Sequence, residues 1–145
     1  PDHDLDIADG QTFKLGQATL TFHLTPGHTP GTVSTVFTVH DQGKLHKVGF
    51  FGGLGTPESA SSKRQHIASL EAFKPIVEGE RLDVLIANHP TQDQSIPKLE
   101  ELRLRHPGDP NPYVIGTDRF VRYLSLQQEC TRVAAAQQGQ GELGQ

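Results

Sequence analysis

Thr25-Pro26-Gly27-His28-Thr29-Pro30-Gly31 is the stretch of this chain whose residue types and spacing point most directly to chemistry. Two prolines and two glycines within seven residues stiffen a loop. His28 is the one side chain in it able to bind a metal or move a proton. A rigid loop holding a single imidazole preorganises a metal ligand, and the same string also describes a tight turn with a surface histidine. A second histidine repeats the pattern: Asp83-Val84-Leu85-Ile86-Ala87 is a short, nearly continuous apolar run that ends in Asn88-His89-Pro90. A buried strand there delivers His89 at its end, and Pro90 fixes the backbone just after the ring. Alone, His89 reads either as structural or as a ligand. His3, His23, His40, His46, His66 and His106 sit singly on strands, turns or helical patterns and read as structural.

The elements that must position these residues divide the chain by period. Ala18, Leu20, Phe22 and Leu24 alternate with Thr19, Thr21 and His23, the period of two of a half-buried strand. Gly31 to Val39 alternates again and is rich in β-branched residues. Asp41-Gln42-Gly43-Lys44 is the next turn, leading to a strand over His46 to Phe51 that stops at Gly52-Gly53. Beyond residue 58 the period changes. His66, Leu70, Phe73 and Val77 form one stripe of an amphipathic helix that Pro75 should kink or end. Pro97 fits the first turn of a helix with Ile96, Leu99 and Leu102 on a face, and Asp118 opens another in which Leu126, Cys130 and Val133 align. The expected organisation is one domain over residues 1–133 and a Gln/Gly-rich flexible tail over 134–145. Strands first, then helix, strand and helices argue for a sheet with helices on one face. Such a sheet leaves its other face bare unless something packs there.

Composition narrows the functional classes. Thirteen Lys and Arg against 17 Asp and Glu give a net charge of -4 over 145 residues, so neither a basic nucleic-acid footprint nor a polybasic membrane patch is expected. No run approaches the ~18 apolar residues of a membrane span. With one cysteine, no internal disulfide can form.

The two histidine segments together resemble the carboxyl-terminal half of the metallo-β-lactamase superfamily. Leu24-Thr25-Pro26-Gly27-His28-Thr29-Pro30-Gly31 is similar to the third metal-ligand motif of the third β-lactamase subclass, and Asp83 to Pro90 is similar to its last. The resemblance runs from about Asp9 to Arg132. It implies an α+β fold: half of an αβ/βα four-layer sandwich, with a mixed sheet carrying helices on one face. It also implies two zinc ions, with His28 completing a three-histidine site for the first and His89 joining an Asp and a His at the second. Those partners belong to an H-x-H-x-D-H motif that this sequence lacks. A catalytic zinc takes three protein ligands and a water, so the resemblance implies an active site completed by an amino-terminal half. That half could lie upstream in a precursor, in a second polypeptide, or in a swapped copy.

Gly52-Gly53-Leu54-Gly55-Thr56-Pro57 falls where many members place an Asp that bridges the metals, and where the first subclass places a Cys ligand. The third subclass uses neither, but often has Ser residues here that help bind the β-lactam carboxylate; the matching places are Gly53 and Gly55. By this comparison Gly52, Gly53 and Gly55 let substrate approach the backbone closely, and Thr56 and Ser59 are candidate polar contacts. Leu82 stands where related lactamases can have a half-cystine, so Cys130 is expected to be a free helix thiol. The implied function is hydrolysis of a small-molecule β-lactam, a cyclic amide, by metal-bound hydroxide, with a role in antibiotic resistance. Hydrolysis of a lactone, thioester or other ester is the alternative within the fold, and a metal-free binding or structural module is the alternative outside catalysis. The compartment stays open: periplasmic or secreted for a true lactamase, cytoplasmic otherwise.

Overall fold

The computed structural model describes residues 5–141. Its strands are β1 (Thr12–Leu15), β2 (Ala18–Leu24), β3 (Val33–Asp41), β4 (Lys44–Phe51) and β5 (Val84–Ala87), and its helices are α1 (Ala60–Glu80), α2 (Pro90–Asp93), α3 (Ser95–Leu104) and α4 (Thr117–Gln137). The short, exposed β1 alternates over only four residues, Thr12-Phe13-Lys14-Leu15, and was not expected from the sequence. The strands form one sheet in the order β1-β2-β3-β4-β5. β1 to β4 are antiparallel neighbours, and β5 lies parallel to β4. The β3–β4 hairpin turns on Gln42 and Gly43, whose φ of 47° and 79° suit the twist of the flanking strands. A parallel neighbour requires a crossover, and α1 supplies it.

Helix α1 starts at Ser59, whose hydroxyl accepts from the Ser62 amide at 3.1 Å. His66, Leu70, Phe73 and Val77 are buried as the stripe predicts. Pro75 does not end the helix, which runs on to Glu80. Pro75 and Glu71, whose carbonyl loses its partner, both lie on the exposed side, where the lost bond costs least. The stripe expected on α4 is displaced. Leu126 and Val133 are 57% and 55% exposed and Cys130 is an exposed free thiol, whereas Phe120, Leu124, Gln128, Thr131 and Ala135 face inward. The polar members of that row are satisfied: Gln128 accepts from Lys74 at 2.7 Å and Thr131 pairs with His66. On α3, Ile96 and Leu99 are likewise exposed, so the expected apolar face is not buried against this chain.

The segment expected as a tail at 134 begins as helix. α4 continues to Gln137, and the side chains of Gln138 and Gln140 accept from the buried Lys63 ammonium. Residues 142–145 and His3 lie outside the described residues.

Phe51, Leu54, Leu70, Phe73, Leu82, Leu85, Phe120 and Leu124 form the core between the sheet and helices α1 and α4. Phe120 lies directly over the sheet at Gly49, where a Cβ would come within 2.6 Å of its ring. Strand register shows that this face receives Thr21, His23, Ser34 and Val36. The apolar alternation points the other way. Phe13 pairs with Leu20, Phe22 with Thr35, Leu24 with Val33, Thr35 with Phe50, and Phe37 with Val48 on the helix-free face. Phe13, Leu15, Leu24 and Val39 are between 37% and 68% exposed there, and Phe37, Val48, Val84, Ile86 and Tyr113 line a hollow of about 210 Å³. The alternating apolar residues therefore face this side, with Leu20, Phe22 and Phe37 half-buried and Leu24 and Val39 exposed. No helix among the described residues is long and apolar enough to cross a membrane.

Candidate metal centre

The loop between β2 and β3 is closed by its own backbone. The Thr25 amide donates to the Thr32 carbonyl at 3.0 Å, and the Gly27 amide to the Thr29 carbonyl at 3.1 Å. The Thr32 hydroxyl accepts from the Thr29 amide and so braces the turn. Gly27 has a φ of 138°, and a Cβ there would sit 2.4 Å from the His66 amide nitrogen; glycine is required both by the backbone angle and by contact with α1. Beneath the loop, buried Thr25 and Ser34 hydroxyls meet at 2.7 Å, and the Ser34 oxygen also accepts from the Gly52 amide at 3.1 Å. Two hydroxyls thereby join the His28 loop to the segment after β4.

His89 follows β5 and immediately precedes α2, whose first residue is Pro90. Sequence reasoning missed the residue that fixes this loop. Asp93 is 4% exposed; one carboxylate oxygen accepts from the Ala87 amide at 2.8 Å, the other from the Ser95 amide at 2.9 Å and from the Ser95 hydroxyl. A buried carboxylate is stable only when hydrogen-bonded in this way, and here it bridges the two ends of the His89 loop. The Asp-x-Ser spacing after His-Pro was the available signal. Tyr123 of α4 donates to the Gln92 carbonyl and ties the same loop to the helix layer; burial raises the Tyr123 pKa, keeping the phenol a donor.

These two loops meet at one end of the sheet. The Nε2 atoms of His28 and His89 are 3.2 Å apart, with the rings inclined at 71°. Zinc–imidazole bonds of about 2.0–2.1 Å place two tetrahedral ligands at roughly that separation. The two ring nitrogens thus reach a common place at the end of the sheet, where the sequence resemblance implies neighbouring ions. Among the described residues no group of three or more His, Cys, Asp or Glu could hold a metal. Three other histidines serve elsewhere: His23 packs edge-on against Phe73, His46 pairs with Asp83 at 2.6 Å, and His106 lies by Asp109.

The segment after β4 lies against His28, but its glycines are explained by packing. A Cβ at Gly52 would sit 2.1 Å from the Val33 carbonyl oxygen, and one at Gly53 3.1 Å from the Thr32 methyl. A side chain at either position would meet protein, so glycine is required there by packing. Gly55, with φ of 123°, runs beside the edge of the His28 ring. Thr56 is exposed at the tip. Ser59 is not a free contact, because its hydroxyl caps α1 and bonds Ser62.

No protein-family model matches this chain, and no curated protein matches it. Solved structures do. The chain is similar to BJP-1, a subclass B3 metallo-β-lactamase of Bradyrhizobium japonicum, at 29% identity and a TM-score of 0.74, covering 94% of this chain and 52% of that one. It is also similar in fold to a mutant of the FEZ-1 metallo-β-lactamase of Legionella gormanii (23% identity, TM-score 0.70, 94% and 51% coverage). A third similar fold is LRA-12, a class B3 di-zinc enzyme from an Alaskan soil metagenome (21%, 0.66, 92% and 50%). The chain spans about half the length of the structures it matches. Its mixed five-stranded sheet with helices is half of the metallo-β-lactamase fold, most like subclass B3 and consistent with the carboxyl-terminal half.

Proposed function

We propose that this chain is the carboxyl-terminal half of a zinc-dependent hydrolase of the metallo-β-lactamase type, completed by an amino-terminal half that covers the open sheet face and brings the remaining ligands. The convergence of the His28 and His89 Nε2 atoms at 3.2 Å carries this reading. Zinc, when bound, polarises a carbonyl and lowers the pKa of its water to about 7. The chain's own contribution is placement. Both histidines act as neutral ligands through Nε2, held by a loop closed on its own backbone and by a loop spanned by Asp93. Gly55, with no side chain, passes beside the Cε1–Nδ1 edge of the His28 ring, and Thr56 is the exposed hydroxyl nearest in sequence.

The substrate we infer is a β-lactam. An ester-type substrate, a lactone or thioester, is the second reading. It is favoured by the loop from Gly52 to Ser59, in which Gly53 and Gly55 offer no side-chain donor to a carboxylate and Ser59 is occupied as a cap.

The test is metal analysis and turnover of the full-length protein. Two zinc ions per complete molecule, hydrolysis of nitrocefin, and loss of both metal and turnover in His28→Ala are expected. Zinc-free protein after reconstitution, or unchanged activity in His28→Ala, would reject the hydrolase reading. Turnover of a homoserine lactone or thioester without nitrocefin hydrolysis would select the second substrate class.

A further inference from the structure

Metal-bound histidines almost always donate their second ring nitrogen to a fixed partner, which sets the ring's orientation. His28 does not follow this pattern: its Nδ1 is buried and has no hydrogen-bond partner among the described residues. Its placement must therefore come from the loop backbone, and that backbone rests on helix α1. A Cβ on Gly27 would lie within 2.7 Å of the amide nitrogen, Cα and Cβ of His66, so loop and helix are in direct contact one residue before the ligand. One helical turn further on, the Ser69 hydroxyl donates to the Pro26 carbonyl at 2.7 Å.

His66 itself is fully buried. Its Nδ1 lies 3.0 Å from the Thr131 hydroxyl of α4, its Nε2 makes no hydrogen bond among the described residues, and the Gly53 backbone lies beside the ring. An apolar side chain of similar size would fill this space without leaving a polar atom unpaired, and a buried polar atom without a partner is costly. An imidazole here, touching the His28 loop, the segment after β4 and the second helix, is unexplained by packing alone.

We infer that His66 is a positioning residue for His28, an inference that rests on the reading of His28 as a metal ligand. Its backbone sets the height of the Pro26–His28 loop. Its ring, paired with the Thr131 hydroxyl at Nδ1 and lying against the Gly53 backbone, packs the segment after β4 against that loop. Thr131 and Ser69 complete the clamp, so the ligand loop is held to both helices rather than through its own ring.

The experiment uses the full-length protein and compares His66→Phe, His66→Gln, Thr131→Val and Ser69→Ala with the unaltered chain. Zinc affinity is measured by chelator competition, geometry by the visible spectrum of the cobalt(II) form, and loop order by amide exchange of residues 27–31 in the metal-free protein. His66→Phe is expected to weaken zinc binding about 10- to 100-fold, alter the cobalt spectrum and speed exchange in the loop, with His66→Gln recovering part of each. A folded His66→Phe protein with unchanged affinity and spectrum would overturn the proposal. Should His66→Phe fail to fold, Thr131→Val and Ser69→Ala decide: weakened zinc binding with an altered spectrum supports the clamp, and unchanged values in both refute it. His28→Ala separates the two levels. If it retains zinc, the metal-centre reading fails; if it loses zinc while the clamp variants do not, the positioning role alone fails.

Discussion

At the scale of single residues, the backbone around the site tolerates little. Gly52→Ala places a methyl group 2.1 Å from the Val33 carbonyl oxygen, and a backbone obstacle cannot rotate away as a side chain can. A loss of about 3 kcal/mol, the upper part of the range for overpacking, is expected in urea unfolding; a variant within ~0.5 kcal/mol of the parent contradicts this packing. His66 makes a pH prediction. Burial is the largest cause lowering its pKa from 6.5 to about 4, so below pH 6.5 the unfolded chain takes up a proton that the folded chain refuses. Stability from this group is therefore complete above pH 6.5 and is lost as pH falls toward 4, by about 3 kcal/mol over the window. Unfolding at pH 7 and pH 4.5 measures it, and in His66→Phe this part of the pH dependence should vanish.

At the scale of elements, each histidine is carried at the end of a strand by a loop with a different fastening. The His28 loop is held from beneath by the Thr25–Ser34 hydroxyl pair and from the side by α1. The His89 loop is held by one carboxylate. Asp93→Ala leaves the Ala87 and Ser95 amides without that acceptor. It should cost about 1–3 kcal/mol and free His89 from its register, seen as faster amide exchange over residues 87–95. Exchange unchanged there means the loop is held by Pro90 and Tyr123 without the carboxylate. Helix α4 shows why period alone misplaced a face: the inward row accepts Gln128 and Thr131 because α1 presents Lys74 and His66 to them. Leu126 and Val133 stay outside.

At the scale of the molecule, the sheet is apolar on the side without helices. Phe13, Leu15, Leu24 and Val39 remain between 37% and 68% exposed around the hollow lined by Phe37 and Val48. A contiguous apolar area of this kind marks an interaction surface. Expressed by itself, the chain should self-associate, and Leu15→Lys with Leu24→Lys should reduce that association while preventing assembly with a complementary half. Monomeric behaviour of the unaltered chain at high concentration, by sedimentation, would mean that the face needs no cover.

Local sequence determined the strand over Ala18 to Leu24, the turn at Gln42-Gly43, the α1 stripe and the two rigid histidine segments, because alternation, turn residues and helical spacing act over a few neighbours. The pattern also carried the bare sheet face, although not the fact that Leu20, Phe22 and Leu24 would point into it. Only the tertiary structure brought His28 and His89, 61 positions apart, to 3.2 Å. It alone showed what Gly52 and Gly53 pack against, gave Ser59 to the helix cap, and placed His66 behind the His28 loop and the segment after β4. Those outcomes depend on which segments the sheet order sets side by side, a contact between distant parts of the chain that no local period encodes.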